Sequence, residues 1–180
     1  VCFAHNRLAV IDVENGLQPM TVSFEGKSYT IVYNGEIYNA NELRTELIAA
    51  GVSFSTYCDT EVVLYSYIVW GLKCSEKLNG IYAFAIYDDH RKQIYLSRDR
   101  MGVKPFFYTQ LGNTLIFSSE VKAILRHPQI RAELDSEGIW QLLYLSPMRP
   151  SNNGIFKNIY EISPGYHGIF DINGLKLFRY

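Results

Sequence analysis

Cysteine is scarce: Cys2, Cys58 and Cys74 are the only three in 180 residues, and an odd number cannot all pair within one chain. They show neither C-x-x-C nor His-rich spacing, so neither a disulfide scaffold nor a zinc site is expected. A reducing, cytoplasmic setting is the default expectation. Excess charge of either sign is missing too, with 17 Lys and Arg against 18 Asp and Glu. That balance leaves no electrostatic footprint for nucleic acid and no polybasic patch for an anionic membrane. Long hydrophobic runs are absent. Ile81–Tyr87 is far too short to cross a bilayer, and no signal-peptide pattern opens the chain. There is no internal repeat, linker or biased tract. An initiator Met is lacking as well: the chain opens on a strand-like Val1-Cys2-Phe3-Ala4 and closes on a strand-like Leu175–Tyr180. Both ends read as the edges of a fragment.

What is abundant is aromatic. Fourteen Tyr, ten Phe and two Trp point to a sheet-rich core, because flat rings pack well on pleated surfaces. The first forty residues read as strands: Val1–Ala4, Leu8–Val13, then Thr21–Phe24 and Ser28–Tyr33 joined as a hairpin at Glu25-Gly26. Asn39 with Glu42 forms a capping-box signature for a helix that presents Leu43, Leu47 and Ile48 on one face and ends before Gly51. A second helix spans about Thr60–Trp70, with Asp59 at its N-cap and Gly71 after it. It is apolar almost all round, so it should be covered on more than one side. Strands follow at Ile81–Tyr87, Gln93–Ser97, Pro105–Thr109 and Thr114–Phe117. The first is apolar on both faces, with Tyr82, Phe84 and Ile86 opposite Ile81, Ala83, Ala85 and Tyr87, and must be covered on both. Helices are expected at Glu120–Arg126 and Ser136–Tyr144. A Pro/Asn/Gly-rich loop, Pro147–Gly154, then leads to a hairpin turning at Asn173-Gly174. The sum is a layered α+β sandwich.

Four stretches carry candidate chemistry. In His5–Asp12, Arg7 can hold a planar carboxylate in a bidentate fork, although a structural ion pair is the commoner use of such a residue. Asn34-Gly35 is a strong turn signal. The Asn amide and the Gly N–H could equally converge on one oxygen as an oxyanion hole. Asp59 is first a helix N-cap, yet a carboxylate at that junction is also placed to receive an ammonium group. Ser97–Pro105 reads best as an internally salt-bridged turn between strands.

Taken in order, these stretches resemble the glutaminase (class II glutamine amidotransferase) domain of glutamine-hydrolysing asparagine synthases. The likeness also runs through Gln18-Pro19-Met20, Leu78–Ala85, Arg98–Tyr108, Ser119–Ala123 and Ser163-Pro164-Gly165, and so covers essentially the whole chain. It implies a four-layer αββα sandwich of the N-terminal-nucleophile hydrolase type, which agrees with the doubly buried strands. Residues 1–180 would then be one amidotransferase domain, truncated at its N-terminus, with a C-terminal synthetase (ATP-pyrophosphatase) domain after residue 180. By resemblance Arg7 grips the α-carboxylate of L-glutamine, and the backbone of Leu8, Ala9, Val10 and Ile11 lines the pocket. Asn34 and Gly35 match the oxyanion hole, and Glu36 and Asp59 the residues that hold the α-amino group. No cofactor is implied here. ATP and Mg2+ belong to the synthetase domain, where the ammonia would amidate aspartate. Partners are L-glutamine and that domain of the same chain, with a homodimer left open and neither nucleic acid nor membrane involved.

The implied reaction needs a cysteine at the mature N-terminus, whose thiolate attacks the amide and whose own amine acts as base. Cys2 lies only five positions before Arg7, whereas the family nucleophile precedes that Arg by several tens of residues. Cys2 is therefore expected to be a buried strand residue, Cys58 to line the pocket beside Asp59 and Cys74 to be structural. The fragment alone should not hydrolyse glutamine. Leu17 and Ala9 depart from the family's usual His and Ser without removing a substrate contact. Two further readings stay open: a non-catalytic module that packs on a synthetase partner, and the glutaminase of another amidating ligase.

Overall fold

A computed structural model describes residues 1–6, 16–145 and 152–180. Glu25 and Gly26 both have positive φ, 50° and 74°, as a two-residue turn matched to strand twist requires. The turn joins β1 (Met20–Phe24) to β2 (Lys27–Ile37). Helices α1 (Ala40–Ala49) and α2 (Asp59–Trp70) follow, then a 3-10 turn and the short α3 (Cys74–Lys77). Strands β3 (Gly80–Asp88), β4 (Gln93–Arg98), β5 (Phe107–Leu111) and β6 (Thr114–Ser118) lead to α4 (Val121–Ile124). Next comes α5 (Ser136–Trp140), running into a π-helical turn (Gln141–Leu145). The chain closes with β7 (Tyr160–Glu161), β8 (Tyr166–Asp171) and β9 (Gly174–Arg179).

These strands form two sheets, one of order β1-β2-β3-β4-β8-β9 and one of order β6-β5-β7, with every pairing antiparallel. Strand alternation then builds the layers. Ile31, Tyr33, Tyr82, Phe84, Ile86 and Tyr95 face α1 and α2 in one core. Val32, Ala83, Ala85, Ile94 and Leu96 face the other way, onto Phe106, just before β5, and onto Tyr108, Leu115 and Phe117 of the second sheet. The far side of that second sheet packs Phe107 and Ile116 against Val121 and Ile124 of α4. The order is helix, sheet, sheet, helix.

The apolar second helix is buried from Thr60 through Tyr67, and β3 is covered on both faces, as the pattern required. Several local expectations are corrected. Residues 1–6 form no strand, and Cys2 is exposed. Leu8–Val13 and part of Pro147–Gly154 lie outside the described residues. Asn39 precedes α1 but makes no cap hydrogen bond; its amide donates to the Lys77 carbonyl and accepts from the Asn79 N–H, tying α1 to the entry of β3. Leu43 and Leu47 are buried, whereas Ile48 is 57% exposed. The Glu120–Arg126 helix shrinks to the four residues of α4.

Candidate active site

A cleft of about 730 Å3 opens where β2, β3 and the head of α2 meet the second sheet; Asn34, Gly35, Glu36 and Asp59 all line it. Asn34-Gly35 is not a turn. Both residues lie inside β2, which continues to Ile37, with Asn34 opposite Ala83 and Gly35 opposite Tyr82. By alternation Asn34 shares the face of Val32, toward the second sheet. The small Ala83 and Ala85 across from them leave the floor of the cleft open.

The backbone of β2 explains the role of Gly35. On its outer side β1 pairs only as far as Met20 opposite Ile31. Beyond that, the Gln18 side chain replaces a strand: its Nε2 donates to the Tyr33 carbonyl (3.0 Å) and its Oε1 accepts from the Tyr33 N–H (2.6 Å). Two rungs on, the Ile37 N–H is taken by Asp59 Oδ2 at 3.1 Å. Strand alternation turns the Gly35 N–H the same way as those of Tyr33 and Ile37, into the gap between Gln18 and Asp59. A backbone donor is thus presented to the cleft between two that are satisfied. Glycine is also required by the neighbouring strand, because a Cβ on Gly35 would stand 2.2 Å from the Ile81 carbonyl oxygen and 2.6 Å from Tyr82 Cα. Gly80 answers it on β3, where a Cβ would meet the Glu36 carbonyl oxygen at 2.1 Å.

Asp59 is the first residue of α2, not its cap. Cys58 holds the cap position, and Asp59 turns its side chain back onto β2. Oδ2 accepts from the Tyr33 hydroxyl at 2.7 Å as well as from Ile37 N–H. Burial first, and the Asp59 charge second, push the Tyr33 phenol well above its ordinary range, so it stays a neutral donor. The loop before α2 is pinned from within. Glu61, fully buried, accepts from the Ser55 and Thr56 N–H groups at 2.8 and 2.7 Å and from the Thr56 hydroxyl at 2.6 Å. Arg44 of α1 donates to the carbonyls of Thr56 and Cys58. Cys58 is buried against the Thr56 hydroxyl and does not line the cleft, and Cys74 is buried at the start of α3.

The charged stretch at the end of β4 is a turn between strands, but among the described residues it holds no internal salt bridge; it backs the site. Asp99, fully buried, accepts four backbone N–H bonds at 3.0–3.2 Å: Met101 and Val103 on Oδ1, Tyr82 and Lys104 on Oδ2. Arg98 donates to the carbonyls of Gly102, Lys104 and Ile162 and pairs with Glu161 at 2.9 Å. Tyr82, held by Asp99, is the residue opposite Gly35, and the turn carries Lys104 to the cleft wall.

The structure therefore brings together Asn34, Gly35, Glu36 and Asp59. Arg7, Leu8, Ala9, Val10 and Ile11 lie outside the described residues. Sequence reasoning gave no role to Gln18, Tyr33 or Lys104, all of which line the cleft. The available signal for Tyr33 was its alternation partner Ile31, which places it on the helix face beside Asp59. Among the described residues no three His, Cys, Asp or Glu side chains group to hold a metal ion, and no helix is long and apolar enough to cross a membrane.

A family model described as a glutamine amidotransferase domain matches residues 1–180. Asparagine synthetase [glutamine-hydrolyzing] 3 of Bacillus subtilis is 50% identical across all of this chain, which spans 29% of that protein. A putative asparagine synthetase [glutamine-hydrolyzing] 2 of Methanocaldococcus jannaschii is 36% identical over 98% of the chain and 36% of its own length. Among solved structures, the glutamine phosphoribosylpyrophosphate amidotransferase of B. subtilis superposes on 91% of the chain, and 31% of its own, at a TM-score of 0.63 and 22% identity. That likeness bears out the layered N-terminal-nucleophile hydrolase fold. With the family model spanning every residue, the chain belongs to the glutamine amidotransferase domain family.

Proposed function

We propose that this domain binds L-glutamine and releases ammonia from its side-chain amide to serve an asparagine synthase of which it is one part. A zwitterionic amino acid needs an anion clamp, a cation clamp and donors for the oxygen that becomes charged. Asp59, with Glu36 beside it in the cleft, supplies the cation clamp. The Gly35 N–H, turned into the gap in the β2 ladder, and the Asn34 amide supply the oxyanion donors. Arg7, by resemblance, supplies the anion clamp, with the backbone of Leu8 to Ile11 completing the wall. The attacking group in this reading is the thiolate of an N-terminal cysteine preceding Val1. Its sulfur bonds to the amide carbon, and the C–N bond breaks as ammonia leaves with the proton held by the cysteine's own amine. Water then cleaves the thioester to glutamate and free thiol. Aspartate activation with ATP and Mg2+ would belong to a synthetase domain of the same protein, since the relatives are about three times longer than this chain.

The observation that carries this reading is the gap itself, with an open Gly35 donor flanked by the Asp59 carboxylate in one cleft. The test is Asp59→Asn in the intact protein, supplied with glutamine or with free ammonia. Glutamine-dependent activity should fall at least tenfold in kcat/KM while ammonia-dependent activity stays within twofold of wild type, in keeping with loss of a charged hydrogen-bonding partner. Equal loss with both nitrogen sources would refute the assignment.

A further inference from the structure

We propose that Tyr33 is the positioning residue of the ammonium clamp, holding the Asp59 carboxylate so that one oxygen is reserved for the substrate's α-ammonium group. This rests on the glutamine reading above and names a residue that acts through Asp59, not on the substrate itself.

The two carboxylate oxygens of Asp59 are used unequally. Oδ2 takes both the Tyr33 hydroxyl and the Ile37 N–H, while Oδ1 has no hydrogen bond among the described residues. Two donors on one oxygen fix the plane of the carboxylate about its side-chain bond. They also lower the cost of keeping the charge in a half-buried site. The remaining oxygen then meets a cation in a single orientation.

Tyr33 is itself immobilised. The residue is 4% exposed, packed between the strand and α2, and its main chain is gripped on both polar atoms by Gln18. Gln18 Nε2 lies 3.5 Å from the Thr60 hydroxyl on the turn that carries Asp59. Tyr33 is also the residue immediately before Asn34-Gly35. One side chain therefore registers the ammonium clamp against the strand that presents the oxyanion donors. A phenylalanine here would fill the same space, so packing alone does not account for the hydroxyl.

Tyr33→Phe removes only that oxygen. In the intact protein the KM for glutamine should rise about tenfold with kcat within threefold of wild type, as expected for a charged hydrogen bond that serves binding. The inhibition constant of 4-carbamoylbutanoate, which is glutamine without its α-amino group, should stay within twofold of wild type. In an Asp59→Asn background the same substitution should add nothing, because the carboxylate it positions is gone. Equal weakening of glutamine and 4-carbamoylbutanoate, an unchanged KM, or a full effect retained beside Asp59→Asn would each overturn the proposal. Should Tyr33→Phe fold poorly, calorimetric binding of the two ligands to its folded fraction carries the same comparison. The parent reading fails separately, if the wild type does not prefer glutamine to 4-carbamoylbutanoate.

Discussion

Asp99→Asn changes one atom and should cost the domain about 4 kcal/mol, a sum worked from how the four donors are shared. Oδ1 accepts from Met101 and Val103, and Oδ2 from Tyr82 and Lys104, so each oxygen serves two N–H groups. An asparagine must place its NH2 at one of those two positions. Whichever way it turns, two backbone donors then face a third donor in a site with no exposure. Each buried donor left without an acceptor costs about 1–3 kcal/mol, and the two surviving bonds lose the assistance of the charge.

Set against the 5–15 kcal/mol that typically holds a domain together, this is a large fraction. At roughly 2–4 °C per kcal/mol for a chain of this length, the unfolding midpoint should drop by about 8–16 °C. Urea unfolding followed by circular dichroism measures the free energy. Hydrogen exchange at the Met101, Val103 and Lys104 amides shows whether the turn opens locally before the domain unfolds. A loss below about 1 kcal/mol with those amides still protected would refute the argument. It would mean that the turn is held by the Arg98 contacts alone.

Two further predictions concern the same framework. Gly35→Ala should destabilise by about 3 kcal/mol, because its Cβ would collide with backbone on β3 that cannot rotate away. Gly26→Ala, with φ of 74° but open space around it, should cost only about 1 kcal/mol; denaturation that finds the two equal sinks the packing account. His167 gives a pH dependence. Buried between Tyr95, Phe178 and Tyr180, with Nδ1 unbonded among the described residues, it has its pKa lowered by desolvation, opposed by Glu76. The fold thus favours the neutral ring, and its contribution is present above the ordinary value of 6.5 and lost as pH falls below it. Thermal unfolding from pH 7.5 to 5 should show that loss, and His167→Phe should flatten it; an unchanged slope in the variant counts against the assignment.

Layering was legible because it depends on alternation, a local property of each strand. Tyr82, Phe84 and Ile86 against Ala83 and Ala85 announced a strand buried on both sides, and the structure has it so. What misled was chemistry decided by distant partners. Asn34-Gly35 looks like a turn because Gly commonly supplies positive φ; here Gly35 has a φ of 158° inside a strand, and a further demand comes from close approach to β3, some 45 residues on. Asp59 has the composition of an N-cap, but the Tyr33 hydroxyl, 26 residues earlier, draws its carboxylate to the strand. The Arg98–Asp99 turn was right in kind. Its ion pair, however, is to Glu161, which no local pattern could supply.

The same distinction explains why the cleft lies where it does. An interior strand normally spends its outward N–H groups on its neighbour, and β2 does so from Lys27 to Ile31. Had β1 run two rungs further, Gly35 would be one more satisfied amide and the cleft would be closed by backbone. Instead a glutamine side chain takes the next rung and an aspartate from another element takes the one after Gly35, leaving a single position between them. Gly35 is only half-buried at the open cleft, so water can meet this donor until a ligand oxygen takes its place. The groups beside it narrow what that ligand can be. A carboxylate on one side asks for a cation, and an amide N–H with the Asn34 side chain asks for an oxygen. Both requirements fall within one small molecule's length along a single strand. A zwitterion with a distal carbonyl meets both, whereas a simple anion meets only the second and is opposed by Asp59.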